Sequence, residues 1–114
     1  MERLCKLLFE LSSEDRLTML TRLREEPMKL THLSQTLKYT PQEASRNISR
    51  LSEAKLIRRD SDATYYLSPL GEEALKLLDG YRFLSEHSDY FTNHTLRDIP
   101  SEFTDRLGAL VNAE

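Results

Sequence analysis

Apolar residues recur along most of this chain at helical spacing, and the places where the recurrence breaks mark its parts. Leu4, Leu7, Leu8 and Leu11 keep three- and four-residue steps, so residues 2–11 read as an amphipathic helix with Phe9 beside the stripe. Ser12 and Ser13 follow as candidate caps, with Glu14 and Asp15 placed where the first turn of a second helix favours negative charge. That helix carries Leu17, Leu20 and Leu23 and stops before Pro27. Met28 to Leu30 is a short extended piece, after which Thr31 is expected to cap a third helix with Leu33 and Leu37 facing inward. Tyr39 lies in the turn that follows, which contains no Gly.

The next start signal is double. Thr40 and Glu43 have capping-box spacing, and Pro41 falls at the first helical position, where a missing N–H costs nothing. From that fixed point Ala44, Ile48 and Leu51 form one narrow inward stripe, so a helix is predicted over about residues 41–54. Gln42, Arg46 and Ser49 then point outward, flanked by Ser45, Arg50 and, nearer the core edge, Asn47. Arg can fork onto guanine, Gln and Asn can pair with adenine, and Ser and Arg can bond phosphate oxygens. A solvated helix face is the plain alternative, and the neighbouring segments weigh against it.

Leu56-Ile57-Arg58-Arg59 and Thr64-Tyr65-Tyr66-Leu67 are β-like runs joined by a polar turn, Asp60 to Ala63, which predicts a hairpin over about residues 56–67. Arg58 and Arg59 are adjacent, so a strand sends them to opposite faces, and one of the two is expected to reach phosphate. Asp60 and Asp62 at the tip would repel phosphate unless they shape the loop as Asx turns. Ser68-Pro69 repeats the cap-then-Pro signal and starts a helix with Leu70, Ala74, Leu77, Tyr81 and Leu84 on one stripe and Leu75 and Leu78 beside it. Gly80 is a candidate break in that helix. A last amphipathic segment begins at Pro100 and carries Phe103, Leu107, Leu110 and Val111. Both the first helix and the stripe beginning at Leu70 ask for a partner; a second copy of the chain is one candidate, and for the first helix packing on its own domain is the other.

With 114 residues the chain suffices for one small domain and not for two. Its organisation reads as a mainly α fold with a small β-hairpin: an N-terminal helix over 1–11, a winged helix-turn-helix over 12–80, and a helical extension over 81–114, either a dimerisation element or the start of a further domain. The formal net charge of −3 argues against nucleic acid at first sight, but the charge is unevenly placed. Lys38, Arg46, Arg50, Lys55, Arg58 and Arg59 face only Glu43 and Glu53 within residues 38–59, whereas residues 72–114 hold nine acids and four bases. Positive charge confined to one segment fits one face meeting phosphate.

Other classes find little support. His32, His87 and His94 lie in separate segments, no Ser or Cys has an evident base, and three Gly make no phosphate loop, so an enzyme is not expected. His87 and His94, seven residues apart, lack the i, i+4 spacing and third ligand of a helical metal site, and no metal or other cofactor is expected. The single Cys5 excludes an internal disulfide framework and is expected to be a small buried side chain. No apolar run is long enough to span a bilayer and no signal sequence is evident, so the cytoplasm is the expected location, with no membrane partner.

The order of helices and wing, with LSEAKLIRRDSDATYYLSPLGEEAL running from the predicted reading helix through the hairpin, resembles the winged-helix domains of MarR-like and ArsR-like bacterial and archaeal transcription regulators. The likeness covers about residues 12–80. The flanks LLFELSSEDRLTMLTRL and YFTNHTLRDIPSEFTDRLGAL look more narrowly like archaeal regulators of the methanogenesis-regulator type, in which a DNA-binding half is joined to a C-terminal sensor domain. The resemblance implies a sequence-specific double-stranded DNA-binding regulator, a homodimer, with the helix over 41–54 in the major groove and the wing on the backbone or minor groove. The residues it assigns to DNA are Gln42, Ser45, Arg46, Ser49 and Arg50 on the helix, with Arg58, Arg59 and Thr64 on the wing; Thr31, Tyr39, Thr40 and Asn47, read from their places around the turn and helix, complete the candidate set. The cysteine-rich motif of metal-sensing ArsR-like regulators is absent, and an effector is expected only through a domain beyond Glu114. A winged helix used solely for protein contacts in a larger assembly is the rival reading; the outward Arg46 and Arg50, without an exposed aromatic anchor beside them, favour DNA.

Overall fold

A computed structural model describes residues 1–93; the segment predicted from Pro100, with Phe103, Leu107, Leu110 and Val111, lies outside the described residues, as does His94. In chain order the elements are α1 (Glu2–Leu11), α2 (Glu14–Glu25), β1 (Met28–Lys29), α3 (Leu30–Leu37), α4 (Pro41–Glu53), β2 (Ile57–Arg59), β3 (Thr64–Leu67), α5 (Pro69–Glu86) and α6 (Ser88–Asn93). The chain divides into two compact units, one of Met1–Glu72 and a second that begins at Glu73.

The first unit is built on α2, α3 and α4, whose Met19, Leu20, Leu23, Leu33, Ala44, Ile48 and Leu51 are buried. Met28, Leu56, Ile57 and Leu67 complete this core from the sheet side. The sheet is antiparallel and three-stranded in the order β1-β3-β2. Met28 pairs with Tyr65 and Lys29 with Thr64, while Ile57, Arg58 and Arg59 pair with Leu67, Tyr66 and Tyr65. The hairpin is therefore anchored by a third strand only two residues long, which falls on the extended piece expected from Met28.

The caps explain where the helices begin. Ser13 is the N-cap of α2, its Oγ accepting from the Arg16 N–H at 3.3 Å. Thr31 does not cap α3: the N-cap is Lys29, and Thr31 lies in the first turn with its side chain exposed. Pairing of Lys29 with Thr64 fixes the chain direction there, and the helix starts two residues earlier than a cap at Thr31 would place it. Gly80 does not divide α5, which runs unbroken for 18 residues, because a lone Gly costs only about 1 kcal/mol in a helix interior.

One exposure expectation fails, and the partner-seeking stripe is exposed as expected. Cys5 is exposed, since α1 buries only Leu11 and leaves Leu4, Leu8 and Phe9 largely in solvent. On α5 the buried residues include Ala74, Leu75 and Phe83, whereas Leu70, Leu77, Tyr81 and Leu84 of the predicted stripe are exposed. Within the second unit Phe83 stacks on His87 at 4.6 Å and meets Phe91 edge-on at 6.1 Å.

Candidate nucleic-acid interface

The site is organised by the turn that delivers α4. Lys38 closes α3 in the left-handed conformation, with φ 60° and ψ 38°, a position more often given to Gly. The strain is held by paired bonds: the Tyr39 N–H donates to the Ser34 carbonyl at 3.0 Å, and the buried Ser34 hydroxyl donates to the Tyr39 carbonyl at 2.9 Å. The absence of Gly from this turn is thereby accounted for.

Thr40 then caps α4. Its Oγ1 accepts from the Glu43 N–H at 3.1 Å and its hydroxyl donates to Glu43 Oε1 at 2.9 Å. Both functions of the Thr40 side chain are thus used in starting the helix, which makes it a positioning group. Tyr39 is likewise committed: half-buried, its hydroxyl donates to Asp15 Oδ1 of α2 at 3.1 Å. Burial, reinforced by the Asp15 carboxylate, raises the phenol above its ordinary range, so it stays protonated and keeps donating.

On α4 the structure leaves Gln42, Ser45, Arg46 and Ser49 exposed along one side. Asn47 is not among them; it is 7% exposed. It lies three residues after Ala44 and four before Leu51, close enough to the apolar stripe to be carried inward with it. Arg50 is also removed from the outward set. Its Nη2 and Nε donate to the two Glu10 carboxylate oxygens at 2.7 and 3.2 Å.

At the far end of α4, Lys55 turns the chain in the left-handed conformation with φ 62°. Ser68, buried, links this end to the start of α5: its hydroxyl donates to the Lys55 carbonyl at 2.6 Å and accepts from the Gly71 N–H at 3.0 Å. The wing between them carries Arg58 and Arg59, both exposed, while Thr64 is half-buried on the central strand. At the tip one Asp60 carboxylate oxygen accepts from the Asp62 N–H at 2.9 Å and from the Thr64 N–H at 3.0 Å. Asp60 is therefore a loop-building residue, which accounts for one of the two acids at the tip.

The electrostatics are uneven in the same way. Among the described residues the ion pairs join Lys6 to Glu2, Arg16 and Arg50 to Glu10, Arg22 to Glu25, and Lys76 to Glu73. Arg46, Arg58 and Arg59 enter none of these, and neither does Lys38, an exposed cation just ahead of α4 that pattern reasoning counted but did not single out. No group of three or more His, Cys, Asp and Glu side chains among the described residues is placed to hold a metal ion. No helix among them is long and apolar enough to cross a membrane.

No protein-family model matches the chain, and no curated protein does. Solved structures do. The chain is similar to a homodimeric winged helix-turn-helix DNA-binding domain from Mycobacterium bovis, described as a possible ArsR-family transcriptional regulator: 18% identity, TM-score 0.64, with 82% of this chain and 88% of that one covered. A second likeness, to the apo form of the manganese-activated repressor ScaR, has 21% identity and a TM-score of 0.44 over 96% of this chain and 53% of that one, too low to support any conclusion. The fold is that of a winged helix-turn-helix domain, mostly helical with a small antiparallel sheet.

Proposed function

We propose that the protein is a DNA-binding transcription regulator that lays α4 in the major groove and β2–β3 along the backbone or minor groove. The observation that carries this reading is the set of unpaired cations, Arg46 on the outer side of α4 and Arg58 and Arg59 on the wing, in a chain whose net charge is −3. Carboxylates are abundant, yet among the described residues none neutralises these three arginines. Cations left in that state are suited to replacing the counterions of a phosphate backbone. Gln42, Ser45, Arg46 and Ser49 supply hydrogen-bonding groups for base edges with no large apolar side chain among them, and the wing serves phosphate through one of its two arginines, Arg58. Such a protein works by binding and performs no catalysis, and its target places it in the cytoplasm with the DNA.

A homodimer belongs to the same reading. Leu4, Leu8 and Phe9 of α1 are 49%, 46% and 60% exposed, and Leu77 and Tyr81 of α5 are 63% and 69% exposed. Side chains of this size left in solvent at helical spacing are suited to burial against a second copy. The Mycobacterium bovis domain is homodimeric, which supports the proposal. Two copies would read half-sites about one helical turn apart. The narrower likeness to archaeal methanogenesis-type and MarR-like regulators extends the proposal to an effector sensed by a further C-terminal domain.

The test is a titration against mixed-sequence duplex over a salt series. The proposal expects binding whose logarithm falls linearly with the logarithm of salt concentration. Absence of any duplex binding at low salt contradicts it.

A further inference from the structure

Glu10, at the end of α1, sits between two guanidinium groups from different helices. Its Oε1 lies 2.7 Å from Arg50 Nη2, and its Oε2 accepts from Arg50 Nε at 3.2 Å and lies 3.5 Å from Arg16 Nε. The Glu10 side chain is 19% exposed, Arg16 10% and Arg50 41%, so the pair is partly shielded from water and from screening. The Phe9 ring lies 5.3 Å from the Arg50 guanidinium carbon and 5.9 Å from that of Arg16. Arg16 also closes the end of α1. Its Nε and Nη2 donate to the Glu10 and Phe9 carbonyls at 2.7 and 3.0 Å, satisfying those open groups without the carboxylate. Arg50 donates to no other acceptor among the described residues, and the fork it presents to Glu10 is the one a phosphate would accept.

We propose that Glu10 is a positioning residue that withholds Arg50 from nucleic acid, occupying with its carboxylate the bidentate site on α4 that a DNA phosphate would otherwise fill. Arg50 lies one helical turn beyond Arg46, so releasing it adds a cation to the row that already faces outward. The placement of α1 thereby sets how many charges α4 offers to the backbone. This inference rests on the DNA-binding reading above.

The experiment measures the slope of log binding constant against log salt concentration for mixed-sequence duplex, with the native chain, Glu10→Gln, Arg50→Ala and the double variant. Gln keeps the size of Glu10, and the bonds of Arg16 to the α1 carbonyls do not involve its carboxylate; a thermal melt of each variant checks that the fold is kept. Glu10→Gln is expected to steepen the slope by about 0.9, the contribution of one phosphate contact. Arg50→Ala alone leaves the native slope as it is, and in the Glu10→Gln background it cancels the gain. An unchanged slope in Glu10→Gln, or a slope flattened by Arg50→Ala alone, overturns the proposal while leaving the DNA-binding reading intact. A native chain that binds no duplex at low salt removes both.

Discussion

The α-carbon of Gly71 faces the carbonyl oxygen of Leu56 so closely that a β-carbon there would overlap it, with Leu67 Cδ2 behind at 3.4 Å. The contact seats the first turn of α5 against the segment leading into the wing, beside the Ser68 bonds to Lys55 and Gly71. A backbone carbonyl cannot swing aside as a side chain can. Gly71→Ala is therefore expected to destabilise the protein by about 1–3 kcal/mol or more, the usual cost of forcing extra volume into a packed site. Urea unfolding checks it, and an unchanged midpoint would show that α5 can shift without cost.

The bond from Tyr39 to Asp15 holds the turn before α4 against α2. Tyr39→Phe removes it, for an expected loss of about 0.5–1.5 kcal/mol near neutral pH. The phenol is raised in the folded protein, so the folded state holds its proton more tightly than the unfolded chain. Its contribution is therefore intact below about pH 10, the ordinary phenol value, and is lost as pH rises from there through the raised folded value. Melting curves from pH 8 to 11 should show a steeper alkaline decline for the native protein than for Tyr39→Phe. Parallel curves would mean that the hydroxyl does not feel its surroundings.

Exposed apolar side chains on α1 predict self-association. Sedimentation should give twice the chain mass at working concentration. The double variant Leu4→Glu, Leu8→Glu should move it toward the monomer while keeping a cooperative melt, because neither residue is in the core of the chain. A native chain that sediments as a monomer removes the dimer.

How much of the molecule is legible in its sequence depends on how local each signal is. The starts of α4 and α5 are written in adjacent residues, Thr40-Pro41 and Ser68-Pro69, and the helices begin there. The wing is equally local, as two β-like runs around a polar turn. Pattern set Asn47 nearest the core edge of α4 without giving the depth to which its neighbours carry it, and the structure buries it. The engagement of Arg50 by Glu10, forty residues away in the chain, and the pairing of β1 with β3 are tertiary facts with no periodic signature. Cys5 belongs with them, since its exposure depends on what covers α1.

The proposed division of labour between α4 and the wing would separate specific from general binding. Arg46→Ala should cost about 1–3 kcal/mol on a selected operator and much less on mixed-sequence duplex. Arg58→Ala should weaken both alike and lower the salt slope by about one unit.

The central claim, that α4 reads base edges while the wing holds the backbone, is tested most directly by comparing these two variants by fluorescence anisotropy. The titrations use a duplex selected from a random pool and a scrambled control of the same length. The account predicts that Arg46→Ala collapses the ratio of the two affinities and that Arg58→Ala preserves it. A ratio untouched by Arg46→Ala and lost in Arg58→Ala would contradict it.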